Sequence, residues 1–137
     1  MFDKERIMSK LSDLTLYAKR LDSMAPHSID TYKDSEMMLK SAVERNLQLV
    51  SDVELDILAF LDKGLELGLS GDDSSLIDRF EGKFSKKVIN KVRERRTLRN
   101  LLIHAYADSS YEKESFGQSH DTSDISDFIK EVKQIIA

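Results

Sequence analysis

Leu39-Lys40-Ser41-Ala42-Val43-Glu44-Arg45-Asn46-Leu47-Gln48-Leu49-Val50-Ser51-Asp52-Val53-Glu54-Leu55-Asp56-Ile57-Leu58-Ala59-Phe60-Leu61 decides the fold. Leu39, Val43, Leu47, Val50, Val53, Ile57, Leu61 and Leu65 recur at three- and four-residue steps. On a helix with 3.6 residues per turn they share one stripe. Leu49, Leu58 and Phe60 widen it, so this helix must touch more than one neighbour. We expect it to run from about residue 33 to 67, with Gly64 weakening its last turn and Gly68 stopping it.

Working outward, Ile7, Leu11, Leu14, Tyr17 and Leu21 give a first helix over about 3–24, ended by Pro26. A loop is expected at 69–75 from its Gly, Asp and Ser content. A short helix with Leu76, Ile77 and Phe80 follows. A basic helix spans about Ser85 to Ala107. Polar residues 108–122 read as a long loop, and a last helix starts near Ser123 with Ile125, Phe128, Ile129, Val132, Ile135 and Ile136 on one face. No segment alternates as a strand does, and no internal repeat appears. The expected fold is an all-α, up-and-down bundle of four or five helices, as a single domain over residues 1–137.

Composition narrows the function classes. With 137 residues, 40% hydrophobic and 34% charged, the chain can bury a real core. It has no cysteine, which excludes disulfides and thiolate chemistry and suits a cytoplasmic location. The N-terminus lacks a signal-peptide core, and the longest apolar run, Ile57–Leu61, is far too short to span a bilayer, so no membrane role is expected. The net charge of -4 argues against general nucleic-acid binding.

One region runs against that charge. Lys83, Lys86, Lys87, Lys91, Arg93, Arg95, Arg96 and Arg99 face only Glu94 across positions 83–99. The run leads into Arg99-Asn100-Leu101-Leu102-Ile103-His104-Ala105-Tyr106, which sets a cation, an amide, an imidazole and a phenol within two turns. Ile89, Val92, Arg96, Arg99, Ile103 and Tyr106 share a seam, apolar at its ends and cationic in the middle. Arginines there must meet carboxylates, open into a cleft or face a second subunit. Asn100 and His104 stack at i, i+4, whereas Arg99 and His104 lie about 140° apart around an ideal helix. Either the helix loosens near His104, or two copies build one composite site.

These groups suit metal-free cleavage of RNA. The ribose 2′-hydroxyl is an internal nucleophile for the adjacent phosphate. Histidine can take its proton or protonate the leaving 5′-oxygen. Arginine clamps and stabilises the crowded phosphate. Lys91, Arg93, Arg95 and Arg96 are the candidate RNA-binding cations, the first three taken as solvated. The plain reading competes: Arg99 as a structural ion-pair partner for an acidic residue of the first or second helix, and Tyr106 as a core residue. His27 and His120 fall in expected loops and receive no role.

The motif resembles the R-x4-H-x-Y signature of HepT-like toxins in the HEPN superfamily. Ala42-Val43-Glu44-Arg45-Asn46-Leu47 is similar to that family's second helix, and the order of short helix, basic helix, acidic segment and Phe128-Ile129 helix also agrees, over roughly residues 35–136. The resemblance implies a homodimeric, metal-independent endoribonuclease without cofactors, the toxin of a toxin–antitoxin pair. It implies that Arg99 and His104 carry the cleavage, with Asn100 as the motif's polar second residue. It further implies an MntA-like nucleotidyltransferase antitoxin that transfers AMP to Tyr106. The alternative is a non-enzymatic helical partner of a nucleotidyltransferase, which a motif buried in ion pairs would favour.

Overall fold

The structure is a computed structural model that describes residues 1–24, 38–68, 71–104 and 111–137. Among these it places six helices: α1 (Lys4–Met24), α2 (Met38–Leu65), α3 (Asp73–Asp78), α4 (Lys86–His104), α5 (Tyr111–His120) and α6 (Ser123–Ile136). The described residues hold no strand, only an isolated bridge between Glu81 and Phe84. The architecture is all-α, as the apolar periodicity requires.

α2 is the hub because its stripe is broad. Val43, Leu47, Val50, Val53, Ile57, Leu58 and Leu61 are all buried, and α2 packs against α1, α3, α4 and α5. α1 presents Ile7, Leu11, Leu14 and Leu21 to this core. α6 closes it with Ile125, Phe128, Val132 and Ile136. The Phe128 ring stacks on Phe84 at 5.3 Å, and Phe80 meets Phe84 edge-on at 5.8 Å. The α3–α4 connection is thereby pinned to α6.

Local chemistry sets the ends. Asp72 caps α3, its carboxylate accepting from the Ser75 N–H at 2.8 Å. That hydrogen bond holds the Asp72 carboxyl below its ordinary range. Ser85 opens α4, its hydroxyl accepting from the Val88 N–H at 3.3 Å and donating to Glu131 of α6 at 2.8 Å. α2 ends in a Schellman turn. The Leu67 N–H bonds the Asp62 carbonyl and the Glu66 N–H bonds the Lys63 carbonyl, both at 3.2 Å. The left-handed residue is Glu66 (φ 55°), two positions before the glycine expected to stop the helix. Arg79 secures the turn by donating to the carbonyls of Leu67 at 3.0 Å and Gly68 at 2.7 Å. Gly64 is more than tolerated: a Cβ there would lie 2.4 Å from the Phe2 ring.

Two boundaries differ from expectation. α3 starts at Asp73, inside the segment read as loop. Within the stretch read as a long polar loop, Tyr111–His120 is helical. Its inward face is polar: Glu112, Ser115 and Ser119 are buried, and Phe116 is half-buried. Glu112 accepts from Lys40 of α2 at 2.6 Å. His120 therefore ends a helix rather than sitting in a loop, its ring bonded to the Phe116 carbonyl at 2.8 Å.

Candidate functional site

α4 carries the motif and runs helical through His104. Its buried stripe is Val88, Ile89, Val92, Arg95 and Leu98. The arginine that enters the core is therefore Arg95, one position from the expected Arg96. Arg95 is 4% exposed, and its Nε and Nη2 donate to the two carboxylate oxygens of Glu54 at 2.7 and 2.6 Å. Its Nη1 meets Asp124 of α6 at 2.9 Å. Glu54 is fully buried and Asp124 is 5% exposed. Burial pushes the Glu54 carboxyl above its ordinary range, against the pull of Arg95. Arg95 is thus a clamp joining α2, α4 and α6. The expectation that it is a solvated RNA-binding cation is corrected: its donors are committed to two buried carboxylates.

The other cations of the run divide in two. Arg93 is held by Asp78 at 2.9 Å and by Glu81, and Lys91 by Glu94 at 3.2 Å. The hydrogen bond to Asp78 raises the Arg93 pKa, and that to Glu94 raises the Lys91 pKa. Both are partly exposed and largely neutralised. Arg96 is half-buried, makes no ion pair with the described residues, and its buried Nε has no hydrogen-bond partner among them. Lys83, Lys86 and Lys87 are exposed.

Arg99 sits one turn beyond Arg95, about 40° further around the helix, and is half-buried where Arg95 is buried. Its Nε donates to Asp52 of α2 at 2.9 Å, its Nη1 donates to the Asn100 side-chain oxygen at 3.2 Å, and Asp73 lies 3.9 Å away. The arginine side chain is 26% exposed and that of Asp52 40%. Nη2 makes no hydrogen bond to the described residues. The guanidinium is thus oriented by Asp52 and Asn100 with one edge open. His104 is exposed at the end of α4, beside the exposed Leu101 and the half-exposed Ile103. The structure brings Arg99 and Asn100 together; no hydrogen bond joins His104 to either. Tyr106 lies outside the described residues.

Glu54 and Asp124 were missed in the sequence, whereas Asp52 answers the plain expectation that Arg99 pairs with an acidic residue of the second helix. Glu54 carried a signal: it shares a helical face with Val50 and Leu58, four residues to either side, where an apolar residue belongs. A carboxylate on a buried stripe demands a cation.

The sequence model of the HepT-like family, described as ribonuclease HepT-like, matches residues 14–132. The chain belongs to this family. No curated protein matches it in sequence. Among solved structures it resembles a tri-AMPylated HEPN toxin from Shewanella oneidensis in complex with an MNT antitoxin. The TM-score is 0.82 at 19% identity, covering 98% of this chain and 99% of that one. It also resembles a mutant MntA–HepT-type toxin–antitoxin (TM-score 0.79, 18% identity, 93% and 97% covered) and a toxin–antitoxin with AMP-PNP (0.78, 19%, 93% and 97%). At these identities the likeness establishes the fold.

Proposed function

We propose that this HepT-like protein is an endoribonuclease toxin, working as a homodimer whose composite site joins two copies of the end of α4. The observation that carries the reading is the contrast between its two arginines. Arg95 is consumed by buried carboxylates, while Arg99 of the motif is oriented by Asp52 and Asn100 with an edge left open. A motif locked in buried ion pairs would favour the non-enzymatic partner; the buried arginine is not the motif's.

In the proposed reaction the 2′-oxygen of a ribose attacks the adjacent phosphorus. The P–O2′ bond forms and the P–O5′ bond breaks, leaving a 2′,3′-cyclic phosphate and a 5′-hydroxyl. One His104 accepts the 2′-proton and its symmetry mate protonates the 5′-oxygen. Arg99 stabilises the charge on the phosphoryl oxygens, with Asn100 holding it in place. A dimer also answers the angular mismatch between Arg99 and His104, and gives the apolar Leu101 and Ile103 a surface to cover. No step calls for a metal, since the nucleophile is intramolecular and the proton carriers are side chains. Arg96, half-buried and in no ion pair with the described residues, is an additional phosphate ligand; Lys91 and Arg93 contribute only by giving up their carboxylates.

The partner reading follows the solved relatives, which are toxins bound to MNT or MntA antitoxins. A nucleotidyltransferase of that kind would transfer AMP to Tyr106, two residues past His104. The added phosphate charge there would repel RNA and occupy the arginines. No helix among the described residues is long and apolar enough to cross a membrane, and a cytoplasmic location suits an RNA substrate. The test is incubation of purified protein with total RNA in EDTA. Wild type should release cyclic-phosphate ends, and His104→Ala should not. Equal cleavage by both proteins overturns the assignment.

A further inference from the structure

Arg99 is short of charge for the task of holding a phosphate. Two carboxylates share its single positive charge. Asp52 of α2 accepts from Nε at 2.9 Å, and Asp73 of α3 places Oδ2 3.9 Å from Nη1. The adjacent Asp72 feels Arg96: the hydrogen bond from Ser75 does most to hold the Asp72 carboxyl below its ordinary range, and the Arg96 charge adds to it. Arg96 and Arg99 thus meet Asp52, Asp72 and Asp73, more negative charge than positive. A phosphodiester joins such a group favourably only if a carboxylate withdraws from Arg99.

The two carboxylates are held differently. Asp52 stands midway along α2, a 28-residue helix packed against α1, α3, α4 and α5, and its bond to Nε is a charge-assisted hydrogen bond. Asp73, at 3.9 Å, makes no hydrogen bond to Arg99. Its side chain is 44% exposed, and it stands in the first turn of the six-residue α3. Asp73 is the weaker tie. The guanidinium gives the same answer. With Nε taken by Asp52, a phosphate held through two N–H groups has to use the Nη1–Nη2 end. Nη2 makes no hydrogen bond to the described residues, and Nη1 is the atom that Asp73 approaches.

We propose that Asp73 holds the place of an RNA phosphate in the free protein and is exchanged for it when RNA binds, while Asp52 stays and keeps Arg99 aimed. Asp73 is then an affinity-setting residue of the site. The exchange weakens the hold on any single anion and favours a ligand that brings several phosphates at once, as an RNA strand does. This rests on the reading of Arg99 as the phosphate ligand of a ribonuclease.

Two readouts on the purified full chain keep the two apart. Binding is followed by fluorescence anisotropy of a labelled single-stranded 2′-fluoro RNA, which lacks the 2′-hydroxyl and cannot be cleaved. Cleavage is followed on ordinary RNA of the same sequence. Asp73→Asn should bind the probe about two- to fivefold more tightly than wild type, the scale of one exposed charge pair, and should cleave with a lower KM. Asp73→Ser, also suited to the first turn of a helix, should tighten binding likewise, and both should keep the helical circular dichroism. Asp52→Asn should instead lower kcat, because Arg99 loses its aim. Glu5→Gln removes the same charge from the exposed start of α1 and should bind as wild type does. Unchanged or weaker binding by both Asp73 variants overturns the proposal. Equal tightening by Glu5→Gln does so too, since it would mark a general effect of net charge, as does an Asp52→Asn protein that binds more tightly and keeps its kcat. Tighter binding by the Asp73 variants, with no cleavage by any protein including wild type, supports the exchange and overturns the ribonuclease reading alone.

Discussion

Replacing Arg95 and Arg99 separately by alanine should give opposite phenotypes, although the two lie one turn apart on α4. Arg95→Ala removes two charge-assisted hydrogen bonds and an ion pair, at 2.6–2.9 Å, and leaves Glu54, which has no exposed surface, facing Asp124 without a cation. Breaking a buried pair from one side costs about 3–5 kcal/mol. A domain of this size has about 5–15 kcal/mol in all, so the variant should lose roughly 10–20 °C in Tm. Arg99→Ala breaks a contact whose partners are 26% and 40% exposed. Solvent screening limits that cost to at most about 1 kcal/mol. Its activity loss should be far larger, about 10²–10³ in RNA cleavage, the usual effect of deleting one donor to a transition-state oxygen. Urea unfolding followed by circular dichroism gives the stabilities, and a fluorogenic RNA gives the rates. An Arg95→Ala protein within 1 kcal/mol of wild type would refute the clamp. A folded Arg99→Ala protein with wild-type rate would refute the catalytic role.

Other outcomes follow from the same geometry. His104→Ala should lower cleavage by about 10²–10⁴ with little change in Tm, since the side chain is exposed and acid–base groups contribute on that scale; unchanged cleavage would remove His104 from the mechanism. Tyr106→Phe should keep cleavage yet yield no AMP adduct by mass spectrometry after co-expression with an MntA-like nucleotidyltransferase; an adduct that persists moves the site, with Tyr111 next to test. RNA affinity should fall steeply with salt, and Arg96→Glu should weaken it more than Arg93→Glu, because Arg93 is already neutralised by Asp78 and Glu81; the reverse order in a filter-binding assay would contradict the assignment. Because burial raises the Glu54 pKa, folding takes up a proton just above pH 4.5. The stability of wild type relative to Glu54→Gln should thus be greatest below that pH and decline as pH rises through the native pKa; a gap that widens with pH would reverse the sign.

The long helices were legible because their buried faces are apolar and repeat at helical spacing. α1, α2 and α6 read this way; α4, with Arg95 on its buried stripe, was legible as a helix but not in its rotation. α5 was not, for a physical reason. Its buried face is Glu112, Ser115 and Ser119, so no apolar stripe announces it. Its inward side is satisfied by tertiary contacts instead, among them Lys40 from a residue 72 positions away. A helix held that way leaves only polar composition in the sequence, and polar composition reads as loop. The first turn of α3 was misread similarly: Gly71, Asp72 and Asp73 signal a loop, but Asp72 is the cap from which the helix starts.

The candidate site was legible in its residue types and not in their partners. The spacing that put Arg96 and Arg99 on a seam with Ile89 and Val92 missed the core by one residue, about 100° of rotation. What fixes the rotation is Glu54, 41 positions earlier on a different helix. A row of arginines contains no record of which one has a carboxylate waiting. That partner also explains why the basic run coexists with net acidity. Arg93, Arg95, Lys91 and Arg99 each answer an acidic group on the same fold, so ion pairs interrupt the run and it is not a continuous anion-binding stripe. Besides the exposed Lys83, Lys86 and Lys87 around the start of α4, what is left over lies toward its end: Arg96, in no ion pair with the described residues, and Arg99 aimed by Asp52 and Asn100. The clamp at Arg95 fixes how α4 is rotated, and that rotation decides which cations of the helix remain for a phosphate.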